Sequence, residues 1–306
     1  MTVIRSFPIR LAAAALVFLA GLLFLQPVAQ AADKGPTAAE YGVVLNLSGK
    51  QRMLSQKMSK EVMLIALGAD AAANLNNLKA TAALFDKTLK GLRDGDKDLR
   101  LPPTTSKRIR KQLDKIEEIW TKFNASVQGI IASGSVSQTQ LAAIAAENLP
   151  LLKEMNKCVK LYEKDASKAG LKADPGLAVT INLSGKQRML TQKMSKEFLL
   201  IAKGHEVDGN KLNLLETYSL FERTLKGLLD GDATLDLPGT KNPAIRKQLE
   251  AVQGLWTAFK PIVAHGADPK TTSIPMEKVM ALAASNLPLL KEMNKAVGMY
   301  EQEAAK

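Results

Sequence analysis

The segment LNLSGKQRMLSQKMSKE, beginning at Leu45, returns almost unchanged as INLSGKQRMLTQKMSKE, beginning at Ile181. The same 136-residue offset relates Phe85 to Phe221, Gly91 to Gly227, Arg110 to Arg246 and Trp120 to Trp256. Beyond the tryptophans the offset is 138, relating Asn148 to Asn286 and Tyr162 to Tyr300, and a two-residue insertion explains the change. The 306 residues are therefore mostly one unit written twice, and one copy's fold must serve both.

Each unit reads as four helices. The spacing predicts a first helix over Ala38–Leu67. A second carries Leu75, Leu78, Ala82, Phe85, Leu89 and Leu92 at steps of three and four, one apolar stripe of a helix. A third carries Ile109, Leu113, Ile116, Trp120, Phe123, Val127 and Ile130, with N-terminal cap candidates in Thr104, Thr105 and Ser106. A fourth carries Leu152, Met155, Val159 and Tyr162, after a kink or restart expected at Asn148-Leu149-Pro150. Asp94-Gly95-Asp96, Pro102-Pro103, Gly134 and Gly231 punctuate the pattern, and no useful stretch alternates with period two. The expected class is all-α, two tandem antiparallel four-helix bundles, over residues 32–170 and 171–306. An up-down-up-down bundle starts and ends at the same side. The short link near Gly170–Gly176 should therefore let the two first helices run side by side in the same direction, so that one chain imitates a symmetric homodimer.

The chain is basic, with 42 Lys and Arg against 30 Asp and Glu, a formal charge of +12. That balance first suggests nucleic acid or an anionic membrane surface. The N-terminus argues otherwise. Arg5 and Arg10 lead into an apolar run from Leu11 to Leu25, followed by Pro27 and the small-x-small site Ala29-Gln30-Ala31. This reads as a secretory signal peptide over residues 1–31, with an uncleaved anchor as the alternative. Removal would leave a charge of about +10 on an exported, periplasmic protein, for which no nucleic-acid role is expected. Cys158 is the single cysteine, and Ala296 takes its place in the second copy, so neither an internal disulfide nor a shared thiol site is expected. His205 and His265 stand in unmatched contexts. No metal or cofactor motif and no recurring catalytic pair emerges, which points away from an enzyme. Glu154 and Glu292, within K-E-M-N-K segments, read as surface ion pairs.

The first helix is the most similar part of the two copies: only five of 23 positions differ between Leu45–Leu67 and Ile181–Lys203. At about 100° per residue its faces separate. Val44, Leu47, Leu54, Met58, Val62 and Ile65 should face the core of their own bundle. Asn46, Lys50, Lys57 and Glu61 form a flank that reads as solvated, as does Lys60 beside it, with Lys193, Lys196 and Glu197 in the second copy. A third stripe lies nearly opposite the core: Leu45, Gly49, Arg52, Gln56, Ser59 and Met63, repeated as Ile181, Gly185, Arg188, Gln192, Ser195 and Leu199. Small and apolar residues facing away from their own core suggest a helix–helix interface. A mid-helix glycine costs about 1 kcal/mol relative to alanine, so its presence in both copies suggests a packing or ligand reason. Two symmetric Arg at such an interface would repel each other. A bound planar oxyanion would remove the conflict, since a guanidinium offers parallel donors to two oxygens.

The segment N-L-S-G-K-Q-R-M-L-S-Q-K-M-S-K, with the later N-L-P-L-L-K-E-M-N-K, resembles the PilJ-type sensor domain, the extracytoplasmic part of type IV pilus chemotaxis transducers. That domain is similar in turn to the sensor domain of NarX/NarQ-type nitrate-sensing kinases. In those sensors the motif Arg binds nitrate at a dimer interface. The resemblance assigns this role to Arg52 and Arg188, places Gly49 and Gly185 beside the ligand, and makes Met53 and Met189 candidate walls. The family carries a second membrane span and an output domain, which this sequence does not show, so a soluble binder with a separate reader is expected. The leading expectation is a small oxyanion, nitrate or nitrite, held between Arg52 and Arg188 and reported to a membrane receptor or histidine kinase. The same chemistry could be met by a homodimer pairing like with like. The alternative is an interaction module for a receptor or pilus component with no small ligand.

Overall fold

The computed structural model describes residues 36–169 and 176–306. The expected signal peptide, residues 1–31, lies outside the described residues, as do residues 170–175 of the link. The described residues form eight α-helices: α1 (Ala38–Leu67), α2 (Ala71–Asp94), α3 (Lys107–Ser133), α4 (Gln138–Lys168), α5 (Leu177–Ala202), α6 (Val207–Asp230), α7 (Pro243–Ala267) and α8 (Met276–Ala304). Among the described residues there is no strand, and no helix is long and apolar enough to cross a membrane.

Local chemistry sets the helix ends. Thr37 and Glu40 form a reciprocal capping box on α1, and Ser137 and Gln140 form one on α4. Gly68 and Gly134 close α1 and α3 in the left-handed conformation that glycine adopts without strain. Ser106 is the N-cap of α3, but its hydroxyl makes no cap bond. Thr104 is used differently from the expected cap: its hydroxyl donates to the Leu92 carbonyl and pairs with the Tyr162 hydroxyl.

The helix does not restart at Pro150: α4 is continuous through it, as α8 is through Pro288. A proline inside a helix removes one N–H and costs about 3 kcal/mol or more. Here Pro150 and Ala146, whose carbonyl loses its partner, are both exposed, so water can serve that oxygen. The apolar face on both sides of the proline, from Leu141 to Met155, stays buried and holds the helix together.

Helices α1–α4 form one antiparallel bundle and α5–α8 the other, and the two join along α1 and α5. Reciprocal contacts show that α1 and α5 run in the same direction. Asn46 meets Arg188 near one end of the seam, and Ala66 meets Lys203 near the other. Helix α8 also crosses onto α1, and α4 onto α5. The first helix of each copy is thus enclosed on several sides. This overturns the solvated flank: Glu61, Glu197, Lys60 and Lys196 are all buried, while Asn46, Lys50, Lys57 and Lys193 are half-buried. Lys60 and Lys196 are covered by the other repeat, where they meet Asn286 and Asn148, whereas Lys57 and Glu61 pack with Thr81 of their own bundle and Lys193 with Thr217 of its own.

The copies trade volume where they differ. Val62 in α1 becomes Phe198 in α5, while Ile130 in α3 becomes Gly266 in α7. A Cβ on Gly266 would sit 2.5 Å from the Phe198 ring, so the larger residue in one helix fills what the other vacates.

Candidate functional site

Arg52 and Arg188 meet at the centre of the α1/α5 seam. A Cβ built on Gly49 would lie 3.3 Å from Arg52 Nη2 and 3.7 Å from Arg188 Nη2. One built on Gly185 would lie 3.3 Å from Arg188 Nη2 and 3.7 Å from Arg52 Nη2. Both guanidinium tips therefore converge on the same crossing, and the absent side chains make room for them. The two Arg are only 3% and 2% exposed.

The contacts are reciprocal. Arg52 donates from Nη2 to the Asn182 carbonyl (3.1 Å) and from Nη1 to Asn156 Oδ1 (3.1 Å). Arg188 donates from Nη2 to the Asn46 carbonyl (3.0 Å) and from Nη1 to Asn294 Oδ1 (3.2 Å). Each Arg thus reaches across the seam with one nitrogen and back into its own bundle with the other. Behind the carbonyls, the Asn182 amide donates to Glu163 and the Asn46 amide to Glu301, so these carboxylates hold the asparagines rather than the guanidiniums.

No carboxylate of the described residues touches either guanidinium at the centre. Among the described residues, neither Arg forms a salt bridge, and neither buried Nε–H finds an acceptor. Burial lowers the Arg52 pKa to about 10, with Glu163 partly opposing the shift. Burial lowers Arg188 to about 9, and the charge of Arg52 pushes the same way. Burial also lowers Lys50, with a further push from Arg188, and Lys186, with one from Arg52. Two arginines and two lysines therefore repel one another around the glycine crossing, with Glu163 and Glu301 opposing the effect in part. Replacing water around a buried ion costs several kcal/mol, which such a site must recover from another partner.

The expected site residues are distributed unevenly. Arg52, Arg188, Gly49 and Gly185 come together. Met53 and Met189 are buried beside them in sequence, but neither lies within 4 Å of a Cβ at Gly49 or Gly185, where only the two Arg nitrogens stand. Asn46, Asn182, Asn156, Asn294, Glu163 and Glu301 were missed. All six recur at the repeat offsets, which is the signal that would have found them.

A second polar layer lies farther along the seam. Lys60 donates to Asn286 Oδ1 (2.9 Å) and Lys196 to Asn148 Oδ1 (3.0 Å), each across the repeat boundary. The asparagine amides donate onward to Ser195 and Ser59 (2.7 Å each). Glu61 accepts from Lys57 and Thr81, and Glu197 accepts from Lys193, which also donates to Thr217. Burial lowers Lys60 and Lys196 to about 8. Cys158 is buried and pushed up to about 12, an inert thiol. Among the described residues no three His, Cys, Asp or Glu gather as metal ligands.

Comparison with known proteins agrees with this double architecture. The family model described as the type IV pili methyl-accepting chemotaxis transducer N-terminal domain matches residues 38–146 and again residues 172–278. The chain is similar to methyl-accepting chemotaxis protein McpN of Pseudomonas aeruginosa, at 30% identity over 122 residues, covering 40% of this chain and 22% of that protein. It is also similar to Protein PilJ of the same organism, at 25% identity over 216 residues, covering 68% of this chain and 30% of that protein. The chain therefore spans less than a third of the length of either relative. On two matches that together cover most of its length, the chain belongs to the PilJ family of chemotaxis-transducer N-terminal domains, carried twice in tandem.

Proposed function

We propose that this chain is an exported, periplasmic, non-enzymatic sensor protein that holds one small planar oxyanion, nitrate or nitrite, between Arg52 and Arg188. The observation that carries the reading is the convergence of two buried guanidiniums on the Gly49/Gly185 crossing, each with an unused Nε–H and no carboxylate partner among the described residues. Both Nη2 atoms lie within 3.7 Å of one point, and two like charges so placed repel by roughly 2 kcal/mol or more at an effective dielectric of about 20. A monovalent anion between them replaces that repulsion with two attractions, and each guanidinium can still present parallel donors.

The seal suggests how occupancy becomes a signal. With both Arg almost fully covered, exchange requires α1 and α5 to separate at the glycine crossing, so filling the site is coupled to helix spacing. A membrane receptor or histidine kinase would read that spacing. The rival in which the glycine–arginine stripe grips a protein partner loses its surface, since α5 already covers it.

Calorimetry with nitrate, nitrite and chloride tests the proposal. One oxyanion per chain, weak chloride binding and loss of binding in Arg52→Ala are expected. Failure of both oxyanions to bind, or undiminished binding by the variant, overturns it. Sedimentation in saturating nitrate should show a monomer; a ligand-dependent dimer would assign the site to two chains.

A further inference from the structure

A groove of about 270 Å³ opens at the junction of α1 and α2 with α8 of the other repeat. It is separate from the arginine crossing, because Lys60 lies eight residues, roughly 12 Å, along α1 from Arg52. Its lining combines two kinds of chemistry. Leu64 on α1 and Met280, Ala284 and Leu287 on α8 supply apolar walls. Met280 and Leu287 are 46% and 48% exposed, an unusual placement for large apolar side chains that the bundle core does not use. Lys60 and Glu61 also line the groove, although they are only 4% and 1% exposed.

Both charges have unspent capacity. The Lys60 ammonium has three N–H donors, and one is committed to Asn286. Glu61 Oε1 takes the bonds from Lys57 and Thr81, while its buried Oε2 has no partner among the described residues. An unpaired carboxylate oxygen and a partly used ammonium that line one groove without bonding each other, together with apolar walls, form a complement to a molecule carrying both charges and a short apolar tail.

We propose that this groove is a binding site for a free α-amino acid with an aliphatic side chain. The ligand carboxylate would meet Lys60, its ammonium Glu61 Oε2, and its side chain Met280 and Leu287. The site is independent of the oxyanion reading and lies on the boundary between the repeats, where an occupant would touch both.

The test uses thermal shift and calorimetry on the full chain with L-leucine, L-valine and L-isoleucine. Isovalerate and isoamylamine, each lacking one charge, serve as controls. At least one amino acid should bind, at least tenfold tighter than either control. Ala284→Trp fills the groove from its exposed wall without touching the buried pair. It should abolish amino-acid binding while leaving the unliganded melting temperature and nitrate titration unchanged. No binding by any of the three amino acids, equal binding of the single-charge controls, or full binding by Ala284→Trp each overturns the proposal.

Discussion

The seam between the repeats holds two pairs of buried cations, and they are treated differently. In the lysine layer each ammonium donates to an asparagine of the opposite repeat, and a glutamate follows it in sequence. In the arginine layer each guanidinium donates to neutral oxygens only, and the nearest carboxylates, Glu163 and Glu301, are engaged by asparagine amides. Each layer has carboxylates nearby that do not touch its cations: Glu61 and Glu197 pair with Lys57 and Lys193, and Glu163 and Glu301 accept from asparagine amides. What sets the arginine layer apart is that its two cations meet, so that the charge of Arg52 adds to the cost of burying Arg188, and an anion between them would relieve both.

The largest expected effect is on ligand binding. Arg52→Met or Arg188→Met should weaken nitrate binding at least 100-fold, a loss of about 3 kcal/mol from charge-assisted hydrogen bonds. In nitrate-free buffer the same variants should unfold at equal or higher urea than wild type, because they remove a buried charge that touches no carboxylate and end the repulsion between the two arginines. A loss of several kcal/mol there would show that the arginines are structural like the lysines.

The lysines should behave in the opposite way. Lys196→Met leaves the buried Asn148 Oδ1 without a donor, whereas Asn286 Oδ1 keeps Gln192 when Lys60 is removed, so Lys196→Met should cost about 1–3 kcal/mol in urea unfolding, with nitrate affinity changed less than threefold. A variant that loses nitrate binding while keeping its stability would erase the distinction between the layers.

Titration separates the layers next. Lys60 and Lys196 fall from the usual 10.5 to about 8 in the folded chain. Below pH 8 both states carry the proton, and the cost of burying charge is fully present. Between 8 and 10.5 the unfolded chain holds protons that the folded chain has released, so stability should rise with pH. Above about pH 9 the buried Cys158 thiol, held protonated up to about 12, works against this rise. Urea midpoints should therefore climb by a measurable step from pH 7.5 to 9, and most of the step should be lost in Lys60→Met/Lys196→Met, leaving only the smaller contribution of Arg188. A wild-type midpoint that is flat or falling over this range would contradict the assignment.

The smallest effect belongs to the exposed pair of Lys157 and Glu154, 2.6 Å apart. Lys157→Ala should change stability by less than about 0.5 kcal/mol and leave nitrate binding intact. A larger change would mean that surface charge, rather than the buried layers, carries the electrostatics of this fold.

Much of this was legible in the chain. The bounds of α1, the apolar stripes of the second, third and fourth helices, and Gly95, Gly134 and Gly231 as helix ends follow from local rules that each copy repeats. The arginine–glycine stripe was legible because it sat on the wrong face for a core. What escaped were groups whose meaning depends on a second helix. Lys60 looks solvated on a wheel because its partner, Asn286, belongs to the other bundle, and Glu61 because a wheel does not show Thr81 on the next helix. Asn156 and Asn294 look like surface amides inside lysine-rich segments until the arginines are placed beside them.

The division has a physical cause. Helix periodicity, capping and turn chemistry act over a few residues, so the sequence by itself determined eight helices, two equivalent bundles and one arginine per copy in an unusual position. Burial and electrostatics are set by whatever lies within a few ångströms, regardless of distance along the chain. Only the tertiary structure decided that the two arginines face each other, that the lysines have cross-repeat partners, and that the supposed flank of α1 is interior. Those facts arise where residue 52 meets residue 182 and residue 60 meets residue 286.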